Sequence, residues 1–216
     1  MHETSSTFDL AFLYVDLGDD FYKYATHMMV QSARKAMPGV RVVHLTDNAT
    51  KHYPDADRVL ASDQRAEKDS ICVFKGSAIA EYAAQADRPV IFCDVDLLWY
   101  APPPMPKTGV FLMVRDGFPC MPVNTGLMLS ASDHHAKIWW KRYGEVVQDL
   151  GKHGMGGWYA DQIAAAICAE YRGCEHNWMD SVAPAPARED ESVRTPAVHF
   201  KGPRKEWMAG FYRRMT

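Results

Sequence analysis

The segment VIFCDVDLLWY, residues 90–100, sets two carboxylates, Asp94 and Asp96, between two apolar runs. An apolar run that ends in acids reads as a buried strand of an α/β sheet, and ligands of such sheets collect at the carboxyl ends of the strands. In extended backbone, residues i and i+2 point to the same side, so both acids are expected to address one hard divalent cation. Two acids at that spacing are also common in solvated turns, so the pair needs support from elsewhere in the chain. HFKGPRKEW near the C-terminus provides it, with His199, Gly202, Lys205 and Trp207 spaced as H-x-x-G-x-x-K-x-W. The imidazole of His199 completes a mixed nitrogen and oxygen site, Gly202 lets backbone approach a ligand closely, and Lys205 is a point charge for phosphate. Together these residues suit a metal diphosphate.

The elements that carry them follow from periodicity. FDLAFLYV (8–15) is a buried strand ending at Asp16, and FYKYATHMMVQSARKAM (21–37) a helix with Tyr22, Ala25, Met29 and Ala33 at helical spacing, closed by Pro38-Gly39. VRVVHLTD is a second strand and RVLAS (58–62) a short third, while residues 69–87 form a helix that carries Lys75. The 90–100 segment is then the next strand, and the βαβ order predicts a mostly parallel sheet covered on both faces. APPPMP (101–106) breaks regular structure, and GVFLMVRD (109–116) and NTGLMLS (124–130) are two further strands. A helix capped by Ser132 or Asp133 runs to Leu150, GKHGMGG (151–157) is a flexible connector, and another helix spans Trp158 to Tyr171. VAPAPARED (182–190) reads as a loop and AVHF (197–200) as the last strand, before a basic, aromatic tail from 201 to 216. The expected architecture is one α/β domain over residues 1–216 with a flexible stretch at 1–7.

Bulk properties narrow the partners. Among 216 residues the net charge is −3, which supplies no global basic field for nucleic acid or an anionic membrane. Cys72, Cys93, Cys120, Cys168 and Cys174 are odd in number and contain no CxxC pair, so reduced thiols are expected rather than disulfides or a zinc knuckle. No leader pattern and no apolar run near the ~18 residues of a membrane span is present, and a cytoplasmic protein, at most peripheral to a membrane, is expected. His134 and His135 are adjacent rather than four apart and read as surface, and Trp139, Trp140 and Tyr143 read as core.

FCDVDLLWY, NTGLMLS, ADQ (160–162) and HFKGPRKEW, in that order, resemble the DxD segment, the N-[ST]-G strand, the D-Q helix start and the C-terminal H-x-x-G-x-x-K-x-W of GT-A-fold glycosyltransferases. The likeness is to the retaining family that contains glycogenin and the lipopolysaccharide galactosyltransferases. It implies a Rossmann-like nucleotide-diphospho-sugar transferase domain, a UDP-sugar donor, and Mn²⁺ or Mg²⁺ held by Asp94, Asp96 and His199, with Asp94 also near the ribose. It implies that Gly202 and Lys205 embrace the diphosphate, the tail completing the donor site, and that Tyr14, Val15 and Asp16 cradle base and ribose. Asn124 and Thr125 would sit beside the donor sugar and acceptor, and Asp161 with Gln162 near the anomeric carbon. Lys75 would match a basic family residue that reaches the donor. On its own it reads as a solvated helix lysine, Asp161 as a helix cap and Asn124 as a turn residue.

The chain departs from the family at Glu206, where proline is frequent, and in its brevity, which leaves GKHGMGG as the candidate lid. Two other readings stand beside the transferase. One is a phosphatase of the haloacid dehalogenase type, which also uses an apolar strand before DxD. The other is a non-catalytic nucleotide-sugar binding module. The acceptor is expected to be a saccharide or a lipid-linked glycan, with protein or modified DNA as alternatives. Lys201, Arg204, Lys205, Arg213 and Arg214 offer charge to an anionic one.

Overall fold

The computed structural model describes residues 8–114, 122–155, 157–170, 176–179, 182–184 and 195–216. Among the described residues ten strands are formed: β1 (Asp9–Leu13), β2 (Arg41–Asp47), β3 (Arg58–Ser62), β4 (Val90–Cys93), β5 (Leu97–Trp99), β6 (Val110–Val114), β7 (Val123–Ser130), β8 (His176–Met179), β9 (Val182–Pro184) and β10 (Ala197–His199). Five α-helices accompany them: α1 (Asp20–Ala36), α2 (Ile71–Gln85), α3 (His134–Lys152), α4 (Ala160–Glu170) and α5 (Met208–Met215). Seven strands make one sheet in the order β3-β2-β1-β4-β7-β6-β8, in which β7 alone runs against the others. A three-stranded sheet, β5-β10-β9, stands beside it.

The main sheet is covered on both faces, which is why its strands are continuous apolar runs rather than alternating ones. Along β1, Leu10 and Phe12 enter a core with Met29, Val30 and Ala33 of α1, while Ala11 enters a second core with α2 and α3. The first core also takes in the small sheet and the buried face of α5. Trp139, Trp140 and Tyr143 of α3 fill the second, and His134 and His135 are exposed. Both long helices start on aspartate caps: Asp19 accepts from the Phe21 N–H at 2.9 Å, and Asp133 from the Ala136 N–H at 3.0 Å.

Several expectations need correction. The 90–100 segment is not one strand: it breaks at Asp94–Asp96 into a turn, and the chain continues as β5 in the other sheet. Residues 182–184, read as loop, form β9, because the parallel edge of β10 supplies partners for backbone that carries no strand signal of its own. Residues 176–179 form β8 on the edge of the main sheet, an element with too little periodicity to announce itself. The α3 helix runs to Lys152, into the supposed connector, and α4 begins at Ala160 rather than Trp158. The tail is a 3-10 segment, Gly202–Trp207, leading into α5. Residues 1–7, 115–116, 156, 171 and 185–190 of the predicted segments lie outside the described residues. Among the described residues no helix is long and apolar enough to cross a membrane.

Candidate metal and donor site

Two sheets meet at the break in the 90–100 segment. β10 pairs antiparallel with β5, His199 opposite Leu97, and the Phe200 N–H donates to the Asp96 carbonyl at 2.8 Å. This pairing brings together residues 103 positions apart: His199 Nε2 lies 2.8 Å from Asp96 Oδ1 and 3.7 Å from Asp94 Oδ2. The chain leaves β4 at Asp94 and turns at Val95 and Asp96 before entering β5, so the two acids converge at the junction of the sheets and not within one continuous strand.

Asp96 is 6% exposed. Burial pushes its carboxyl up, but the His199 ring and the Lys205 ammonium outweigh burial and hold it down at about 2. Lys205 Nζ is 3.2 Å from Asp96 Oδ2, donates to the Tyr22 hydroxyl at 2.9 Å, and lies 4.5 Å from the centre of the Tyr22 ring. Gly202, three residues before it, has φ +56°, a conformation that favours glycine.

β7 supplies the floor. Its register with β6 jumps between the Leu112–Met128 and Met113–Asn124 pairs, which leaves Thr125, Gly126 and Leu127 without partners on β6. Such irregularities re-aim side chains next to functional sites. Asn124 Oδ1 accepts from the Gly126 N–H at 3.0 Å, and the Gly126 carbonyl accepts from the Asp94 N–H at 2.8 Å. A Cβ at Gly126 would stand 2.1 Å from His199 Cε1 and 2.9 Å from Asp94 Oδ2, so only glycine lets the imidazole lie this close to β7.

Lys75 corrects its own bland reading. Its side chain is 14% exposed, and Nζ reaches Asp94 Oδ1 at 2.6 Å, Asp161 Oδ2 at 3.2 Å and the Thr125 carbonyl at 3.3 Å. Burial opposes its charge, yet Asp94 and Asp161 together hold the ammonium well above the usual lysine range. Asp161, in the first turn of α4, is 2% exposed. Its Oδ2 also accepts from Thr125 Oγ1 at 2.6 Å and its Oδ1 from the Gln162 N–H at 2.9 Å. The thiol of Cys72, pushed up to about 11 by burial and by the Asp161 charge, is protonated at neutral pH.

Asp94, Asp96, His199, Lys205, Lys75, Asp161, Thr125 and Asn124 therefore form one connected group. Tyr14, Val15 and Asp16 form a second, at the end of β1: Tyr14 is half-buried, Val15 is buried against Ala66 and Phe74, and Asp16 is exposed.

The donor set fits a divalent cation. Asp94, Asp96 and His199 each offer a ligand atom, all within 4.8 Å of one another. With Nε2 against Asp96, His199 Nδ1 is a buried ring nitrogen without a hydrogen-bond partner, and two carboxylates with an imidazole suit a hard or borderline metal.

No protein-family model matches the sequence. No curated protein matches it either. Solved structures do match: a galactosyltransferase, LgtC, crystallised with donor and acceptor sugar analogues, shares the architecture with TM-score 0.61 at 14% identity, over 95% of this chain and 95% of that one. The chain has the GT-A fold.

Within this GT-A frame the site contains residues that spacing did not single out. Gly126 lies inside the quoted NTG but carried no role until the His199 ring was seen beside it. Tyr22 reads from its helical spacing as a core residue, yet its hydroxyl meets Lys205. Outside that group, in the segment leading to α4, Trp158 and Met155 are 67% and 57% exposed, and Tyr159 has φ +89°, strained for a residue with a side chain. Nothing in the local pattern distinguishes an exposed tryptophan from a packed one.

Proposed function

We propose that the chain is a metal-dependent glycosyltransferase. On this reading it takes a hexose from a UDP-sugar and delivers it, with retention, to a saccharide or lipid-linked glycan. The observation that carries the reading is the convergence of Asp94, Asp96, His199 and Lys205 at the strand-end turn of a GT-A sheet.

Breaking a sugar-diphosphate bond loads negative charge onto the departing phosphate, and stabilising that charge where it grows is the main catalytic task. Asp94, Asp96 and His199 would hold Mn²⁺ or Mg²⁺, whose charge offsets that of the diphosphate when bound. Lys205, exchanging Asp96 and Tyr22 for phosphate oxygens, adds a second positive charge, and the backbone at Gly202 approaches the same group. Tyr14, Val15 and Asp16 take the base and ribose. Lys75 fixes Asp94 and Asp161 relative to each other, so the metal side and the sugar side of the site move as one.

Asn124, Thr125, Asp161 and Gln162 orient the sugar. Both oxygens of Asp161 are engaged by Thr125, Lys75 and the Gln162 N–H. That supports an electrostatic part for Asp161 beside the positive anomeric carbon over a nucleophilic one. The acceptor hydroxyl then attacks from the face the diphosphate leaves: a bond from the anomeric carbon to the acceptor oxygen forms, the bond to phosphate oxygen breaks, and the proton passes to the departing phosphate.

A thermal-shift panel of UDP, GDP, CDP and ADP, each with Mn²⁺ and with chelator, tests the reading, because a ligand of the native state raises apparent stability. UDP is expected to stabilise the protein only with Mn²⁺, and Asp96→Ala and His199→Ala are expected to abolish that shift while leaving the circular dichroism unchanged. A Mn²⁺-dependent UDP shift retained in both variants would remove the metal assignment.

A further inference from the structure

Asp47, the last residue of β2, is a carboxylate only 3% exposed that the chemistry above does not use. Its oxygens gather the loops that leave three neighbouring parallel strands. Oδ1 accepts from the Thr50 N–H at 2.9 Å, and Oδ2 accepts from the Ala66 N–H at 3.0 Å. Thr50, 5% exposed, in turn accepts from the Asp16 N–H at its Oγ1, 2.9 Å away. Thr50 is thus a relay: its backbone N–H donates to Asp47 and its hydroxyl accepts from the backbone of the segment after β1. That segment is held on its other side by Val15, which packs on Ala66 and Phe74. One step back, the Tyr14 N–H donates to the Leu45 carbonyl of β2 at 3.2 Å.

Burying a carboxylate is costly unless donors surround it, and a network satisfied in this way fixes backbone position. Here the backbone it fixes is Tyr14 to Asp16. We infer that Thr50, oriented by Asp47, is a positioning residue for the nucleoside end of the donor site, so that base and ribose binding depends on the β2–β3 connection as well as on β1. The inference rests on the proposed placement of base and ribose at Tyr14, Val15 and Asp16. Among the described residues Thr50 has no hydrogen bond to the acid and lysine group that would hold metal and diphosphate, so its effect is selective: it acts on the nucleoside and not on the phosphates.

Isothermal titration of Mn²⁺-saturated protein with UDP and, separately, with inorganic pyrophosphate separates the two ends. Thr50→Val keeps the shape of the side chain and removes the hydrogen bond from the Asp16 N–H, while Thr50→Ser keeps the hydroxyl. The expected result is a loss of about five- to tenfold in UDP affinity for Thr50→Val, the size of one net hydrogen bond, with pyrophosphate affinity unchanged and Thr50→Ser close to wild type. Thr50→Val binding UDP as wild type does, or losing UDP and pyrophosphate affinity equally, would overturn the inference and leave the donor-site reading in place. Wild-type protein that binds pyrophosphate but gains nothing from the uridine, or binds neither, would overturn the donor-site reading and this inference with it.

Discussion

Lys75 is the residue through which the acids of the site communicate. Its ammonium neutralises Asp161, which is nearly inaccessible to water, and touches Asp94 at the edge of the candidate metal site. Removing one partner of a buried pair costs more than the pair itself contributes, because the remaining charge is left unsolvated. Lys75→Met should therefore destabilise the protein by about 3 kcal/mol in urea unfolding. The double variant Lys75→Met with Asp161→Asn should recover part of that loss, since the orphaned charge is gone. Additive costs in the double variant would mean that the two residues do not act as a pair. Asp94, Asp96, His199 and Lys205, which the structure brings together, stood out in the sequence because their residue types and spacing are distinctive. Lys75 was named only through the family likeness, because a helical lysine carries no sign of which carboxylates the topology will set before it. Gln162 and Asn124 stay proposals of the family likeness, placed beside the acids by α4 and β7.

At the scale of elements, the site depends on two places where regular structure fails. The turn at Asp94–Asp96 transfers the chain from one sheet to the other, and the irregularity in β7 frees Thr125 and Gly126 to face it. Both are invisible to period counting, which extended β4 straight through the turn and so reached the right convergence of carboxylates by the wrong geometry. Gly126→Ala tests the second. Its Cβ would overlap the His199 ring, so Mn²⁺ affinity, followed by titration with electron paramagnetic detection, should fall at least about tenfold while the circular dichroism is kept. Equal Mn²⁺ affinity would show that His199 is not held where the small sheet puts it.

β2 carries a second dependence, on pH. His44 is fully buried; its Nε2 faces the Tyr14 carbonyl at 2.9 Å and its Nδ1 accepts from the Tyr53 N–H at 3.1 Å, so the neutral ring satisfies both. Burial, only partly offset by the Tyr14 carbonyl and reinforced by His52, lowers its pKa to about 4. Above about pH 6.5 the ring is neutral folded and unfolded, and the stability is whole. Between about 6.5 and 4 the unfolded chain takes a proton the fold refuses, and stability falls by about 3 kcal/mol; below 4 the loss is complete. His44→Gln keeps a donor for Tyr14 and cannot titrate there. Its urea midpoint should change less than that of wild type between pH 7 and pH 4.5, and an equal change in both would acquit His44.

For the whole molecule, the question is why a basic tail at the far end of the chain belongs to a site built on β4. The tail is anchored by apolar residues as well as by the Lys205 contacts with Asp96 and Tyr22. Met208 is 0% and Phe211 2% exposed, and both lie in the core that contains Val95, Leu97 and Leu98 on either side of Asp96. The Phe211 ring meets Phe200, the residue after His199, edge to face at 5.2 Å. The same hydrophobic cluster thus holds Asp96, His199 and the segment bearing Lys205. Sequence alone showed the charges and aromatics of the tail but not which of them would be buried, since eight residues are too few for a helical period to be read with assurance. Phe211→Ala should destabilise the protein by about 3–5 kcal/mol in urea unfolding, the range for truncating a buried phenylalanine. At a temperature where the variant remains folded, the contact of Lys205 with Asp96 should loosen as well, so Mn²⁺-dependent UDP affinity should fall although no ligating residue has changed. An unaltered urea midpoint would mean that the tail rests on the surface. A lowered midpoint with full UDP affinity would mean that it stabilises the fold but leaves the donor site to Lys205 alone.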